Sequence, residues 1–81
     1  MSEIRVTFDQ TANAAYLSFA DPETAPKVAH MYACDPIAVR GMINLDFDEQ
    51  GRLLGIEVLG ATSKLPQRLL DTAERLDDGK D

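Results

Sequence analysis

Met42-Ile43-Asn44-Leu45-Asp46-Phe47-Asp48-Glu49-Gln50-Gly51-Arg52-Leu53-Leu54-Gly55-Ile56-Glu57-Val58-Leu59 is the stretch whose reading decides the fold. Before its centre, Ile43, Leu45 and Phe47 alternate with Asn44 and Asp46; after it, Leu54, Ile56 and Val58 alternate with Leu53, Gly55 and Glu57. A period of two over this length is that of a half-buried β-strand, and two such runs around Asp48-Glu49-Gln50-Gly51 predict an antiparallel hairpin. Matching apolar to apolar residues predicts Leu45 opposite Leu54, Ile43 opposite Ile56 and Phe47 opposite Arg52, which leaves Asp48 to Gly51 as a loop built on a type I turn. Asp48 suits the start of such a turn because its carboxylate accepts backbone N–H groups. Gly51 has no Cβ to oppose a positive φ.

Working outward, Glu3 to Phe8 alternates with Ile4, Val6 and Phe8 on one side, a first strand. Asp9 to Asn13 carries turn formers at both ends, and Ala14 to Phe19 resumes the alternation as the second arm of another hairpin. Ala20 to Pro26 reads as a loop because Pro22 and Pro26 fix φ and remove donors. Lys27 to Cys34 reads as a further strand, broken by Asp35-Pro36; Ile37 to Arg40 reads as short and extended, and Gly41 as a bend or bulge. After Leu59, Thr62 or Ser63 is expected to cap a helix that takes Pro66 into its first turn and runs to about Leu76, with Leu65, Leu69, Leu70, Ala73 and Leu76 on one stripe. The expected fold class is α+β: an antiparallel sheet of four to five strands built from hairpins, with one C-terminal helix packed on one face. Residues 1–76 make a single domain and residues 77–81 a disordered acidic tail.

With 81 residues, 44% of them hydrophobic and none tryptophan, the core is expected to be thin and oligomerisation a natural remedy. One helix covers one sheet face, so Met42, Leu53 and Leu59, joined by Tyr16, are expected to form an apolar reverse side that serves as an oligomer interface, making the protein a homodimer or larger assembly. Fourteen acidic against eight basic side chains give a net charge of −6 without a basic block, which disfavours nucleic acid and anionic membrane surfaces and permits a basic protein partner. The start lacks a secretory pattern, and Cys34 is the single cysteine, so the expected location is the cytoplasm.

Two stretches resemble the bacterial domain-of-unknown-function 2283 family. Phe8-Asp9-Gln10-Thr11-Ala12-Asn13-Ala14-Ala15-Tyr16-Leu17 is similar to its aromatic-Asp-x-x-Ala-Asp-Ala-x-Tyr-Ile stretch, and Leu45 to Leu59 is similar to its acidic turn followed by Leu-Val-Gly-Ile-Glu-Ile-Leu. Asn13 stands where the family usually has aspartate, Gln50 where it has a turn aspartate or asparagine, and the Ala29 to Arg40 segment is longer than the family suggests. The resemblance implies a small α+β domain and no established activity. Some members are suspected of lying beside toxin-like genes, so it also carries an antitoxin-like role, binding a basic partner protein, as an expectation.

Several motifs invite chemistry. Asp46-x-Asp48-x-Gln50-Gly51 with Glu57 matches most of a calcium-loop pattern. Its flanks have strand period rather than helix period, and the register above sets Glu57 four residues beyond the partner of Asp46, roughly 13 Å away, so solvated turn carboxylates are expected instead. His30 and Cys34 are too few for a zinc site and read as a partly buried histidine and a small apolar thiol. Asp9, Asn13 and Tyr16 form the candidate ligand-binding set, against the plainer expectation that Asp9 and Asn13 bond their own turn. Gly55 and Gly60 read as close-packing or strand-end positions. No catalytic residue, metal site or cofactor is implied. The expected function is a noncatalytic, self-associating protein-interaction module; the alternative is a ligand binder or enzyme using the Asp9-Asn13 loop and Tyr16, with Asp46 a further candidate, across an oligomer interface.

Overall fold

The computed structural model describes residues 4–21, 23–24 and 26–76, so the expected acidic tail at 77–81 lies outside the described residues. Among the described residues six strands form one sheet: β1 (Arg5–Asp9), β2 (Ala14–Ser18), β3 (His30–Ala33), β4 (Ile43–Phe47), β5 (Leu53–Leu59) and β6 (Glu74–Arg75), in the order β3-β4-β5-β2-β1-β6. Three short helices connect them: α1 (Pro36–Val39), α2 (Ala61–Lys64) and α3 (Gln67–Asp71). The α+β class is as expected, but the sheet is mixed, because β6 runs parallel to β1 while every other pairing is antiparallel.

Both expected hairpins form. In the first, Asp9 pairs with Ala14 around Gln10 to Asn13, the Asp9 carboxylate accepts from the Ala12 N–H at 3.2 Å, and Asn13 takes the left-handed conformation at φ 53°. Asparagine is among the non-glycine residues best suited to that region. The central hairpin differs from its expected register by two residues at Ile43, opposite Val58, and Leu45, opposite Ile56, and by one at Phe47, opposite Leu53. The loop is one residue tighter, closed by the Asp48 N–H donating to Arg52 O at 2.9 Å around Glu49, Gln50 and Gly51, with Gly51 at φ 81°. A loop this short would by itself exchange the two faces. The chain avoids that with a β-bulge: Asp46 pairs with Gly55 and Phe47 with Leu53, so Leu54 is the extra residue and parity is restored.

Two further expectations are corrected. Asp35-Pro36 does not merely break a strand; it starts α1, with Asp35 Oδ1 accepting the Ile37 N–H at 3.0 Å and Pro36 in the first turn. Residues 37–40 are therefore helical rather than extended, ending at Arg40 with φ 57°. Downstream, the single long helix is replaced by α2 and α3. Leu65, preceding Pro66, is held extended at φ −114° and ψ 150°, because the proline ring disfavours helical backbone in the residue before it.

Register sorts the side chains into two unlike faces. On one, Phe8, Ala15, Val58 and Ile43 form a row across the sheet, and Val6, Leu17, Ile56, Leu45 and Tyr32 form the next. The helices close over the first row only: Phe8, Ala15, Ala61 and Leu70 make the core cluster, with Leu65 and Ala73 against it. On the other face the rows are polar: Thr7, Tyr16, Glu57 and Asn44, then Arg5, Ser18, Gly55 and Asp46.

Candidate functional site

The polar face holds the densest cluster of chemistry-bearing side chains. Tyr16 on β2 lies across β5, and its hydroxyl donates to Asp46 Oδ2 on β4 at 2.8 Å. Only glycine permits this. A Cβ on Gly55 would stand 2.1 Å from the Tyr16 hydroxyl oxygen and 2.3 Å from Cζ, so Gly55 is a close-packing position, as its sequence context suggests. One row along, Asn44 Nδ2 donates to Glu57 Oε1 at 3.0 Å, a cross-strand pair that satisfies the buried Asn44 amide. Burial, then the hydrogen bond and charge of Asp46, then the charge of Glu57 push the Tyr16 hydroxyl up to about 12. Its ionisation thus lies further above neutral pH than that of an ordinary phenol.

Of the candidate binding set, the structure gathers Tyr16 with Asp46 and leaves Asp9 and Asn13 in other duties. Asp9 bonds its own turn, as expected. Asn13 instead reaches the start of α2: its Oδ1 accepts the Thr62 N–H at 3.1 Å, its Nδ2 donates to Thr62 Oγ1 at 3.1 Å, and its carbonyl accepts from the Ala61 N–H at 2.9 Å. It caps a helix nearly fifty positions away, a role that neither Thr62 nor Ser63 takes through a side-chain cap bond of its own.

Met42 and Leu53 are exposed and Leu59 is half-buried. Leu59 and Leu53 lie six residues apart on β5, roughly 20 Å along the strand, with Glu57 and Gly55 between them. Leu59 shares the polar face with Glu57, whereas the bulge at Leu54 turns Leu53, opposite Phe47, to the apolar face, so the two do not form one contiguous patch. The more extensive apolar surface lies on the face the helices partly cover.

The three carboxylates of the calcium-like pattern have separate partners. Asp46 accepts from Tyr16, Glu57 from Asn44, and Asp48 from the backbone of Gln50 and Arg52 at 2.9 Å each and from Arg52 Nε at 3.1 Å. Led by the Arg52 N–H, these donors hold the Asp48 carboxyl below its usual range. The observed register sets Glu57 two residues beyond the partner of Asp46, roughly 7 Å rather than 13 Å; the loop is a strand turn with no flanking helices. Among the described residues no group of three or more His, Cys, Asp or Glu is placed to hold a metal ion. His30 is exposed rather than partly buried, and Cys34 is a half-buried free thiol on the same extended segment. An open cleft of about 440 Å³ where Lys27 faces the Asp48-Arg52 turn has mixed charge, with Arg52 already paired to Asp48.

The family model for "Protein of unknown function (DUF2283)" matches residues 5–61, a span that contains both hairpins. The chain belongs to that family. Membership carries no activity, and neither a curated protein nor a solved structure matches the chain. In this DUF2283 protein the matched span ends at Ala61, so Leu65, Leu70, Ala73 and β6 are contributed from outside it. No described helix is long and apolar enough to cross a membrane.

Sequence reasoning set Tyr16 and Asp46 in one candidate group and missed Asn44 and Glu57 as a pair. The signal was present: Asn44 and Asp46, Gly55 and Glu57 are the alternate residues of two otherwise apolar strands and so had to share a face. Pairing them across the sheet required the true register.

Proposed function

We propose that this protein is a noncatalytic protein-interaction module that works by associating with copies of itself. One observation carries the proposal: Val6, Leu17, Ile56, Leu45 and Tyr32, aligned across five strands of the apolar face, include no buried residue. Fully burying a side chain of this size contributes about 1.5–3 kcal/mol, so a partner that covers the row recovers energy the lone chain forgoes. The Tyr16 hydroxyl, pushed up to about 12 and bonded to Asp46, supports a structural rather than catalytic use of the polar face. The net charge of −6 supports a basic protein as an additional partner, and the single thiol, Cys34, suits the cytoplasm.

Size-exclusion chromatography with light scattering from low to high micromolar concentration tests the proposal. A dimer or larger species is expected, with Ile56→Lys shifting it toward monomer while the circular dichroism spectrum stays native. A native chain that remains monomeric throughout this range overturns the self-association.

A further inference from the structure

Among the described residues no strand pairs with the outer edge of β3, and we infer that its occupant is β3 of a second copy, paired antiparallel about a twofold axis through Tyr32. This rests on the self-association reading above and adds an edge-to-edge contact to the one that covers the apolar face.

β3 is the last strand on its side of the sheet, and all four of its residues are exposed, Met31 and Tyr32 at 62% each. Natural edge strands are usually blunted by charge, proline or very short length. From Val28 to Cys34 this edge has no aspartate, glutamate, lysine, arginine or proline, and His30 is its one titratable ring.

The backbone selects the register. The Cys34 N–H donates to Ile43 O at 2.8 Å, and Tyr32–Leu45 and His30–Phe47 are the pairs of the same parity, so Tyr32 and His30 turn their N–H and C=O toward β4. Met31 and Ala33 therefore direct theirs outward. A twofold axis normal to the sheet keeps each face on its own side, so it must pass through a residue rather than between two. Through Tyr32, Met31 comes opposite the partner's Ala33 and Ala33 opposite the partner's Met31. All four residues are outward-directed, and two bonds form at each pair. Through Met31, Ala29 would have to bond the partner's Ala33, but the Ala29 N–H is already committed to Phe47 O at 2.8 Å.

Side chains agree with the choice. Tyr32 meets the partner's Tyr32 in a non-hydrogen-bonded pair, where cross-strand side chains are closest, and the uncovered apolar row continues unbroken from one sheet into the next. The segment is bounded by Lys27 at one end and Asp35 at the other, so antiparallel pairing brings each lysine diagonally near the partner's Asp35, whereas parallel pairing would set like charges together.

Cross-linking tests the register. In a Cys34→Ala background, Tyr32→Cys under oxidised glutathione is expected to form a disulfide dimer, because a non-hydrogen-bonded pair sets its Cα atoms about 4.5 Å apart, within disulfide reach. Met31→Cys in the same background, offset by two residues from its own copy, is expected to stay largely unlinked. Ala33→Pro removes an outward N–H and none directed at β4, so it is expected to weaken association roughly tenfold or more with the native spectrum retained. If Tyr32→Cys links no better than Met31→Cys, or if folded Ala33→Pro associates as tightly as the native chain, edge pairing is overturned while self-association through the apolar face stands. A native chain monomeric at high micromolar concentration removes both.

Discussion

The sheet has two edges, and the chain treats them differently. At the β6 edge the strand is only two residues long, Glu74 and Arg75, and both are charged. Arg5 Nη2 meets Glu74 Oε1 at 2.8 Å, Arg75 Nη1 donates to Gln10 Oε1 at 2.7 Å, and the Arg75 guanidinium lies 5.5 Å from the Phe8 ring centroid. Behind it α3 drives Leu70 into the core. At the β3 edge four exposed residues carry no charge at neutral histidine, and no buried residue backs α1 beside them. One edge ends in a short, charged strand and the other in exposed residues without an ion pair, so the pairing proposed at β3 is directional rather than a general stickiness.

Five variants probe that contrast. Leu70→Ala empties the centre of the closed side and is expected to destabilise the fold by about 2–5 kcal/mol in denaturant titration. A loss under about 1 kcal/mol would mean that α3 does not hold that edge. Gly55→Ala acts between the two halves, where Tyr16 straps β2 to β4; an expected loss of about 1–3 kcal/mol comes from overpacking against the ring. Its companion is pH. Because the folded Tyr16 is raised above its unfolded value of 10.0 to about 12, its contribution is whole below pH 10 and declines as pH rises toward 12. Ultraviolet titration should show one tyrosine ionising near the upper value, and Tyr16→Phe should abolish both that step and its share of the alkaline loss. An alkaline step unchanged in Tyr16→Phe would show that the strap is not formed.

Asn13→Ala unties the first turn from α2 and is expected to cost about 0.5–2 kcal/mol, as for loss of a helix cap. An unchanged Tm would mean that the Thr62 contacts add nothing. The smallest effect belongs to Glu74→Ala: the Arg5–Glu74 pair is half-exposed, so a change of about 0–1 kcal/mol, vanishing in high salt, is expected. Neither Asn13→Ala nor Glu74→Ala should alter cross-linking at Tyr32, since both act on the closed side.

Much of the fold could be read before the structure was known, and the misreadings share a cause. Ile43, Leu45 and Phe47 against Asn44 and Asp46 specify which face each side chain takes, but a shift of two residues preserves every face. The choice between pairing Leu45 with Leu54 or with Ile56 therefore lay in the Asp48 turn and in the bulge at Leu54. Pro66 suits the start of a helix that begins at Gln67, whereas in a helix that begins earlier it disfavours helical backbone at Leu65. Periodicity from Leu65 to Leu76 could not separate the two cases. The site was legible as residue types, Tyr16 and Asp46 among them, and illegible as a cluster.

By itself the sequence determined the α+β class, the two hairpins and the sorting of side chains between two faces, because alternation and turn chemistry act over a few residues. Only the tertiary structure decided which strands are neighbours, that Gly55 makes room for Tyr16, that Asn13 caps a distant helix, and that β6 shuts one edge while β3 stays open. These depend on contacts between residues far apart in the chain, whose geometry no local pattern records.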